Sequence, residues 1–261
     1  MRANRVAVDN PGKAIGMALG VALVCALLVS VTAVGLRPHY LANLEAERMA
    51  RLGSVLEAVS AVSGEVTVRD IEAHVVDLAS GRYSERLDAN TFDARKAAND
   101  PELSVLIPPD LDIAGINRRA RYATVFIVRD PAGAVQLLIL PVRGSGYQSA
   151  LYAFLAVEGD ASTVLALRFY EQGETPGMGA RVQDPAWEAL WAGKRIADQA
   201  GAIRIGVTRG RVAPGSDDAA YQVDGISGAT RTSIGVHRLL RFWLGDFGFG
   251  PYLERVRRGE G

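Results

Sequence analysis

The chain has 261 residues, 49% of them hydrophobic, enough to bury a sizeable core in one domain or two small ones. Its 29 basic residues balance 29 acidic ones, so charge favours no nucleic acid, polyanionic substrate or acidic surface as a partner. A single cysteine, Cys25, excludes an internal disulfide framework, a CxxCH haem attachment and an iron–sulfur cluster ligated by this chain alone, and His39, His74 and His237 have no HxxxH or HExxH spacing, so no metal site is expected.

The first element is a membrane anchor. From Ala14 to Leu36 the sequence AIGMALGVALVCALLVSVTAVGL carries no charge and is long enough to span a bilayer as a helix. Arg2, Arg5 and Lys13 precede it and only Arg37 follows closely, so the positive-inside bias puts residues 1–13 in the cytoplasm and everything after Leu36 across the membrane. Val31-Thr32-Ala33 resembles a signal-peptidase site, but the apolar core is longer than a usual signal-peptide core, which favours an uncleaved anchor. Val24 is bulky where a lipidation motif needs a small residue, so Cys25 is a small apolar residue of the anchor. Over residues 37–62, Leu41, Leu44, Leu52, Val55, Leu56 and Val59 recur near helical spacing among charges and predict an amphipathic helical connection.

Residues 63–261 then form the exported domain. From Gly64 to Arg121 the pattern is mixed, with a short apolar stretch at Ile71 to Leu78, a charged region at Asp93 to Asp100 and a break at Pro108-Pro109, and it supports no assignment. Ala123 to Val128 and Val135 to Val142 are β-branched and apolar runs separated by Asp130-Pro131-Ala132-Gly133, which predicts a hairpin; Tyr152 to Val157 and Thr163 to Tyr170 repeat the arrangement around Glu158-Gly159-Asp160. Asp184 followed by Pro185 reads as an N-cap with proline at the first helical position, opening a helix to about Ile196. Ile203 to Val207 and Tyr221 to Val223 are short strands, and Ser233 to Leu244 is a helix with Val236, Leu239, Leu240 and Trp243 on its apolar face. The fold class that follows is α+β, an antiparallel sheet packed by helices, preceded by one N-terminal transmembrane helix.

One segment carries chemistry. Val223-Asp224-Gly225-Ile226-Ser227-Gly228-Ala229-Thr230 runs from a strand into the last predicted helix. Small residues there let backbone N–H groups approach a phosphate, and the free N–H groups and dipole of the helix favour its charge. The bare pattern suits a plain strand–turn–helix junction equally well. No GxxxxGK[ST] occurs, and Gly144-Ser145-Gly146 lacks the third glycine of a dinucleotide fingerprint.

DGISGAT is similar to the flavinylation motif of exported domains in which FMN is joined by its phosphate to the last threonine. In the same chain stand AVGLRPHYLANLEAE after the anchor, YEQGETPGMG at Tyr170 to Gly179, DPAWEALWAGK at Asp184 to Lys194 and FWLGDFGFGPYLERVR near the end. In this order they resemble the covalent FMN-binding C subunits of the sodium-translocating NADH:quinone oxidoreductases along nearly the whole length. The resemblance implies an electron-relay component of a membrane oxidoreductase, with FMN as a phosphoester on Thr230, passing electrons towards quinone and unable to oxidise NADH alone. It implies no catalytic side chain and no metal; the partners are the other subunits, a flavin transferase for maturation and membrane lipid. The location it implies is the bacterial inner membrane, single-pass, with the N-terminus cytoplasmic and the flavin domain periplasmic.

The cofactor-binding residues implied are Thr230 with Ser227, Gly228 and Ala229 at the phosphate, and Gly146, Tyr147, Gln148, Glu174, Thr175, Gly177 and Met178 around the ring. Relatives usually carry leucine and tryptophan where this chain has Tyr147 and Gln148, a departure that bears on how the ring stacks. Trp187 and Trp191 are expected in the core and His237 on the surface of the last helix, while Lys194 and Arg231 receive no role. Two alternatives stand beside this reading: the flavoprotein subunit of an Rnf-type ferredoxin:NAD oxidoreductase, and a non-redox exported scaffold with an unmodified Thr230. The long segment before Tyr122 and the FGFGPYLERVR terminus favour the NADH:quinone enzyme over the first.

Overall fold

An uninterrupted run of apolar residues with good helix formers gives the first element, helix α1 at Ala14–Leu36, whose 23 residues reach about 35 Å, enough for the hydrocarbon core of a bilayer. Its leucines and valines are exposed by 56% or more, a surface that matches lipid rather than water. Thr32, one of two hydroxyl residues in this helix with Ser30, donates its hydroxyl to the Leu28 carbonyl at 2.8 Å and so satisfies its own donor within the helix. The computed structural model describes residues 14–32, 34–36, 71–89 and 91–261, together with Gly12, Ala50 and Gly53. The expected amphipathic connection at 37–62 lies outside the described residues apart from Ala50 and Gly53. Residues 1–49 and 50–261 form separate compact units.

The second unit is organised by a six-stranded antiparallel sheet in the order β2-β1-β5-β6-β7-β8. Its strands are β1 (Ile71–Asp77), β2 (Arg82–Tyr83), β5 (Tyr122–Arg129), β6 (Val135–Ser145), β7 (Ala150–Glu158) and β8 (Val164–Glu171). Between β2 and β5 lie helix α2 (Ala94–Asn99) and a small hairpin of β3 (Ser104–Leu106) and β4 (Arg118–Ala120). The four strands expected from the apolar runs are all present and follow one another as a meander. The Asp130 side chain closes the β5–β6 turn by accepting the N–H groups of Ala132 and Ala134, both at 2.9 Å, and Asp160 accepts those of Ser162 and Thr163 in the β7–β8 turn. The unassigned Ile71 to Leu78 stretch becomes β1, placed beside β5 from Ile71↔Val128 to Asp77↔Tyr122.

Strands β5 to β8 are apolar on both faces, as continuous rather than alternating runs require. One face, with Val125, Ile127, Leu138, Leu140, Leu155 and Phe169, joins the principal core. The other gathers Phe126, Val128, Leu137, Ile139 and Phe154. Helices α4 (Thr230–Leu244) and α5 (Gly250–Arg257) lie in the principal core through Val236, Leu239, Leu240, Trp243, Tyr252 and Leu253, each fully buried aliphatic side chain being worth about 1.5–3 kcal/mol. Trp243 also donates its indole N–H to the Arg143 carbonyl at 2.6 Å, tying α4 to β6.

Three expectations are corrected. The helix opening at Asp184 does not reach Ile196: α3 covers only Pro185–Glu188 and a 3-10 turn follows at Ala189–Trp191. Residues beyond it are drawn into extended pairing, Arg195 with Thr163 and Ala197 with Ile203, so the sheet edge outcompetes the helix. The last helix starts at Thr230 rather than Ser233, which makes Thr230 its first residue. The short strands at 203–207 and 221–223 shrink to β9 (Gly206–Val207) and β10 (Gln222–Val223), which pair in parallel with each other and not with the main sheet.

Candidate functional site

The segment from Val223 to Thr230 leaves β10 and enters α4 through a turn held by discrete polar tethers. The Asp224 carbonyl accepts the Trp187 indole N–H at 2.8 Å, and its carboxylate accepts the Val212 N–H at 2.8 Å. Ile226 donates its N–H to Ser233 Oγ at 3.0 Å, folding the turn back onto the helix it precedes. Gly228 has φ +79°, the left-handed region that favours glycine, and allows the chain to swing into the helix. Ala229 occupies the N-cap position, where its methyl group cannot accept a hydrogen bond, so the N-cap side chain leaves the first amides of α4 uncapped. At this uncapped start Ser227, Gly228 and Thr230 are exposed and Ala229 is buried.

Two loops flank it. The β6–β7 turn, 146–149, closes with Gly146 N–H on the Ser149 carbonyl at 2.7 Å and leaves Tyr147 and Gln148 exposed. The turn after β8, 174–178, is closed by Met178 N–H on the Thr175 carbonyl at 3.1 Å, with Thr175, Gly177 and Met178 exposed. Glu174 differs from the rest of the expected set because it faces inward and is only 5% exposed. One carboxylate oxygen accepts the N–H groups of Tyr147, Gln148 and Ser149 at 3.0, 2.9 and 3.0 Å, and the other accepts the Thr232 hydroxyl at 2.6 Å. Burial pushes this carboxyl up, but the Thr232 hydroxyl and the three backbone donors outweigh it and leave it below the ordinary carboxylate value. Glu174 therefore joins both loops to α4 and presents no free oxygen to a ligand.

A groove of about 450 Å³ runs between the 112–115 segment, the 146–147 turn and α4, lined among others by Ile113, Tyr147, Arg231, Ile234 and Arg238; Thr230, the residue before Arg231, is outside its lining. Arg231 holds its guanidinium 5.0 Å from the centre of the Tyr147 ring. The 112–115 segment is fastened to the end of β6 by Ser145, whose N–H donates to the Ala114 carbonyl at 2.8 Å and whose hydroxyl donates to that of Gly115 at 2.7 Å. Of the expected ring residues the groove takes in Gly146 and Tyr147; Gln148, Thr175, Gly177 and Met178 lie outside its lining. Ile234, Arg238 and the 112–115 segment were not singled out by sequence, and Arg231 was named there without a role. Only Arg231 had a legible signal, a cation next to the motif's threonine.

The remaining expectations divide. Trp187 and Trp191 are core residues, edge to face at 5.5 Å, as expected. Lys194 donates to the Ala219 carbonyl at 2.6 Å and so serves a local turn. His237 is not on the surface: it is half-buried and accepts the Val207 N–H on Nδ1 at 3.3 Å, and burial, with Arg241 and Arg238 nearby, holds its pKa below the ordinary histidine value. The cause is β9, a backbone pair too short to stand out in sequence, lying against α4.

Comparison with known proteins shows the same frame. An FMN-binding domain model matches residues 146–245, from the β6–β7 turn to the C-cap of α4. The C subunit of the Na(+)-translocating NADH-quinone reductase from Vibrio alginolyticus, NqrC, is 42% identical over 254 residues, covering 97% of each chain. This chain belongs to the NqrC family. The Pseudomonas aeruginosa relative is 45% identical over 250 residues, 94% of this chain and 95% of its own. The crystal structure of Shewanella oneidensis NqrC superimposes with a TM-score of 0.71 at 33% identity, covering 81% of this chain and 98% of that one. The match with the Vibrio relative takes in nearly the whole sequence, so the α+β domain and the apolar helix before it belong to one family architecture.

Proposed function

We propose that this chain is the electron-transfer subunit of a membrane-bound Na(+)-translocating NADH:quinone oxidoreductase, carrying FMN as a phosphoester on Thr230. The observation that supports the linkage is the exposed Thr230 hydroxyl at the uncapped first turn of α4, inside DGISGAT, in a chain of this family. An uncapped helix start suits a phosphate chemically: the amide groups favour negative charge and the small residues Ser227, Gly228 and Ala229 keep it accessible. Gly146, Tyr147, Gln148, Thr175, Gly177 and Met178 would border the ring, with Arg231 at the Tyr147 side and Glu174 holding the loops from behind.

When bound, the flavin supplies reversible one- and two-electron chemistry. The residues present contribute placement and electrostatics. Thr230 holds the group covalently, the exposed turns leave it accessible to a partner protein of the complex, and Arg231 and Arg238 set a positive edge along the groove. Helix α1 holds the protein in the inner membrane, with the N-terminus cytoplasmic and the domain 63–261 on the periplasmic side, where a covalent bond keeps a cofactor from being lost. Maturation then needs a flavin transferase on that side.

The test is intact and peptide mass spectrometry on the full chain co-expressed with a flavin transferase, native against Thr230→Ala. An FMN-sized increment on the Thr230 peptide, absent in the variant, supports the proposal. An unmodified native peptide rejects it and turns the reading to a non-redox scaffold.

A further inference from the structure

Thr230 is one of four hydroxyls at this turn, with Ser227 before it and Thr232 and Ser233 after it. Thr232 and Ser233 are 2% and 3% exposed, and both are already engaged. Successive α-helical residues are turned by about 100°, so Thr232 stands about 200° around the axis from Thr230. Whatever turns Thr232 inward therefore turns Thr230 outward. Glu174 does this, taking the Thr232 hydroxyl at 2.6 Å on one carboxylate oxygen. Its other oxygen is seated on three consecutive backbone N–H groups of the 147–149 turn, a nest of the kind that binds free anions, filled here by a carboxylate of the protein itself. The seat is tight: a Cβ on Gly146 would lie 2.5 Å from one Glu174 oxygen and a Cβ on Gly179 2.7 Å from the other. Ser233, holding the Ile226 N–H at 3.0 Å, ties the preceding turn to the same side of the helix.

We propose that Glu174, by holding Thr232 inward, sets the rotational phase of the first turn of α4 and so selects Thr230 as the hydroxyl that receives the flavin phosphate. The inference rests on the Thr230 proposal above. In the transfer, Thr230 Oγ1 forms the new bond to phosphorus, the phosphoanhydride bond of a flavin dinucleotide donor breaks, the nucleoside monophosphate leaves and the hydroxyl proton passes to a base of the transferase. Glu174 and Thr232 touch none of these atoms; they are positioning residues.

The experiment measures the initial rate of flavin incorporation into the full chain by a purified transferase with flavin adenine dinucleotide, the label being mapped by peptide mass spectrometry. Thermal melts establish that each variant is folded at the assay temperature. Thr232→Ser keeps the donor and is expected to stay within about twofold of native, whereas the near-isosteric Thr232→Val is expected to be slower by about tenfold or more. Glu174→Ala is expected to be similarly slow and to recover in part with added formate, which fits the vacated nest. If Glu174→Ala melts too low, Glu174→Gln retains an oxygen for the three backbone donors and replaces the charged acceptor of Thr232 by an amide that can only donate to its hydroxyl, a weaker neutral bond, and labelling slower than native is again expected. Native rates in Thr232→Val and in the folded Glu174 variants would overturn the inference. A native chain that takes no label would instead reject the Thr230 proposal itself.

Discussion

The sheet β5–β8 and the irregular segment 172–233 are held together in opposite ways. In the sheet, β6 and β7 alone pair from Leu137↔Glu158 to Ser145↔Ala150, and both faces are lined by fully buried aliphatic and aromatic side chains. In the segment, the only strands are two residues long; it adds separate side chains such as Val182, Trp191 and Ile205 to the principal core, and between them the chain is located by single bonds: Trp187 to Asp224, Asp224 to Val212, Ile226 to Ser233 and Thr232 to Glu174. Burial is additive and tolerant of small errors, whereas one hydrogen bond fixes a direction and has no substitute when lost. Stability should therefore be concentrated in the sheet and positional accuracy in the segment.

The comparison is broken most forcefully at Phe154, fully buried in the second face of the sheet. Phe154→Ala should cost about 3–5 kcal/mol, read as a lower urea midpoint with unchanged slope, and a loss below about 1 kcal/mol would show that the sheet is not the main store of stability. Ser233→Ala comes next, since it leaves the Ile226 N–H buried without its acceptor. It should cost about 1–3 kcal/mol and speed hydrogen exchange at Ile226, while unchanged exchange there would remove this tether from the account.

Glu174 sharpens the contrast through pH. Its folded pKa lies below the ordinary value of 4.5, so the fold prefers the charged form. The stabilisation is complete above the unfolded pKa and is lost as pH falls through the folded one. Native protein should exceed Glu174→Gln by about 1–2 kcal/mol near neutrality, a gap that closes only below about pH 4.5; a gap independent of pH would contradict the charged clamp. The smallest effect on stability is expected at Tyr147, 53% exposed. Tyr147→Leu should change stability by less than about 0.5 kcal/mol yet shift the visible absorbance of the flavin-loaded protein, and an unshifted spectrum would exclude Tyr147 from the ring environment.

Legibility in the sequence follows the same division. The meander was readable because its signals are local and repeated: apolar runs of strand length, separated by Asp-centred turns whose side chains bond their own backbone. The strand–turn–helix junction that carries Thr230 was readable because a run of small residues before a helix carries its meaning in consecutive positions, although the helix begins at Thr230 and not at Ser233. The inward course of Glu174 was not readable, since its partners Tyr147, Gln148, Ser149 and Thr232 lie 25 to 58 residues away along the chain. The helix from Asp184 failed for a related reason, as the pairing of Arg195 with Thr163 overrode a local pattern that favours helix.

By itself the sequence determined the apolar N-terminal helix, the order of the four central strands, the family and the turn of small residues leading into the last helix, all properties of contiguous residues with a period or a motif. Only the tertiary structure decided which hydroxyl of that helix faces outward, which carboxylate ties the loops together and which side chains line the groove. Those are set by contacts between distant segments, and their free energy appears only once the sheet has brought β6, β8 and α4 to one edge.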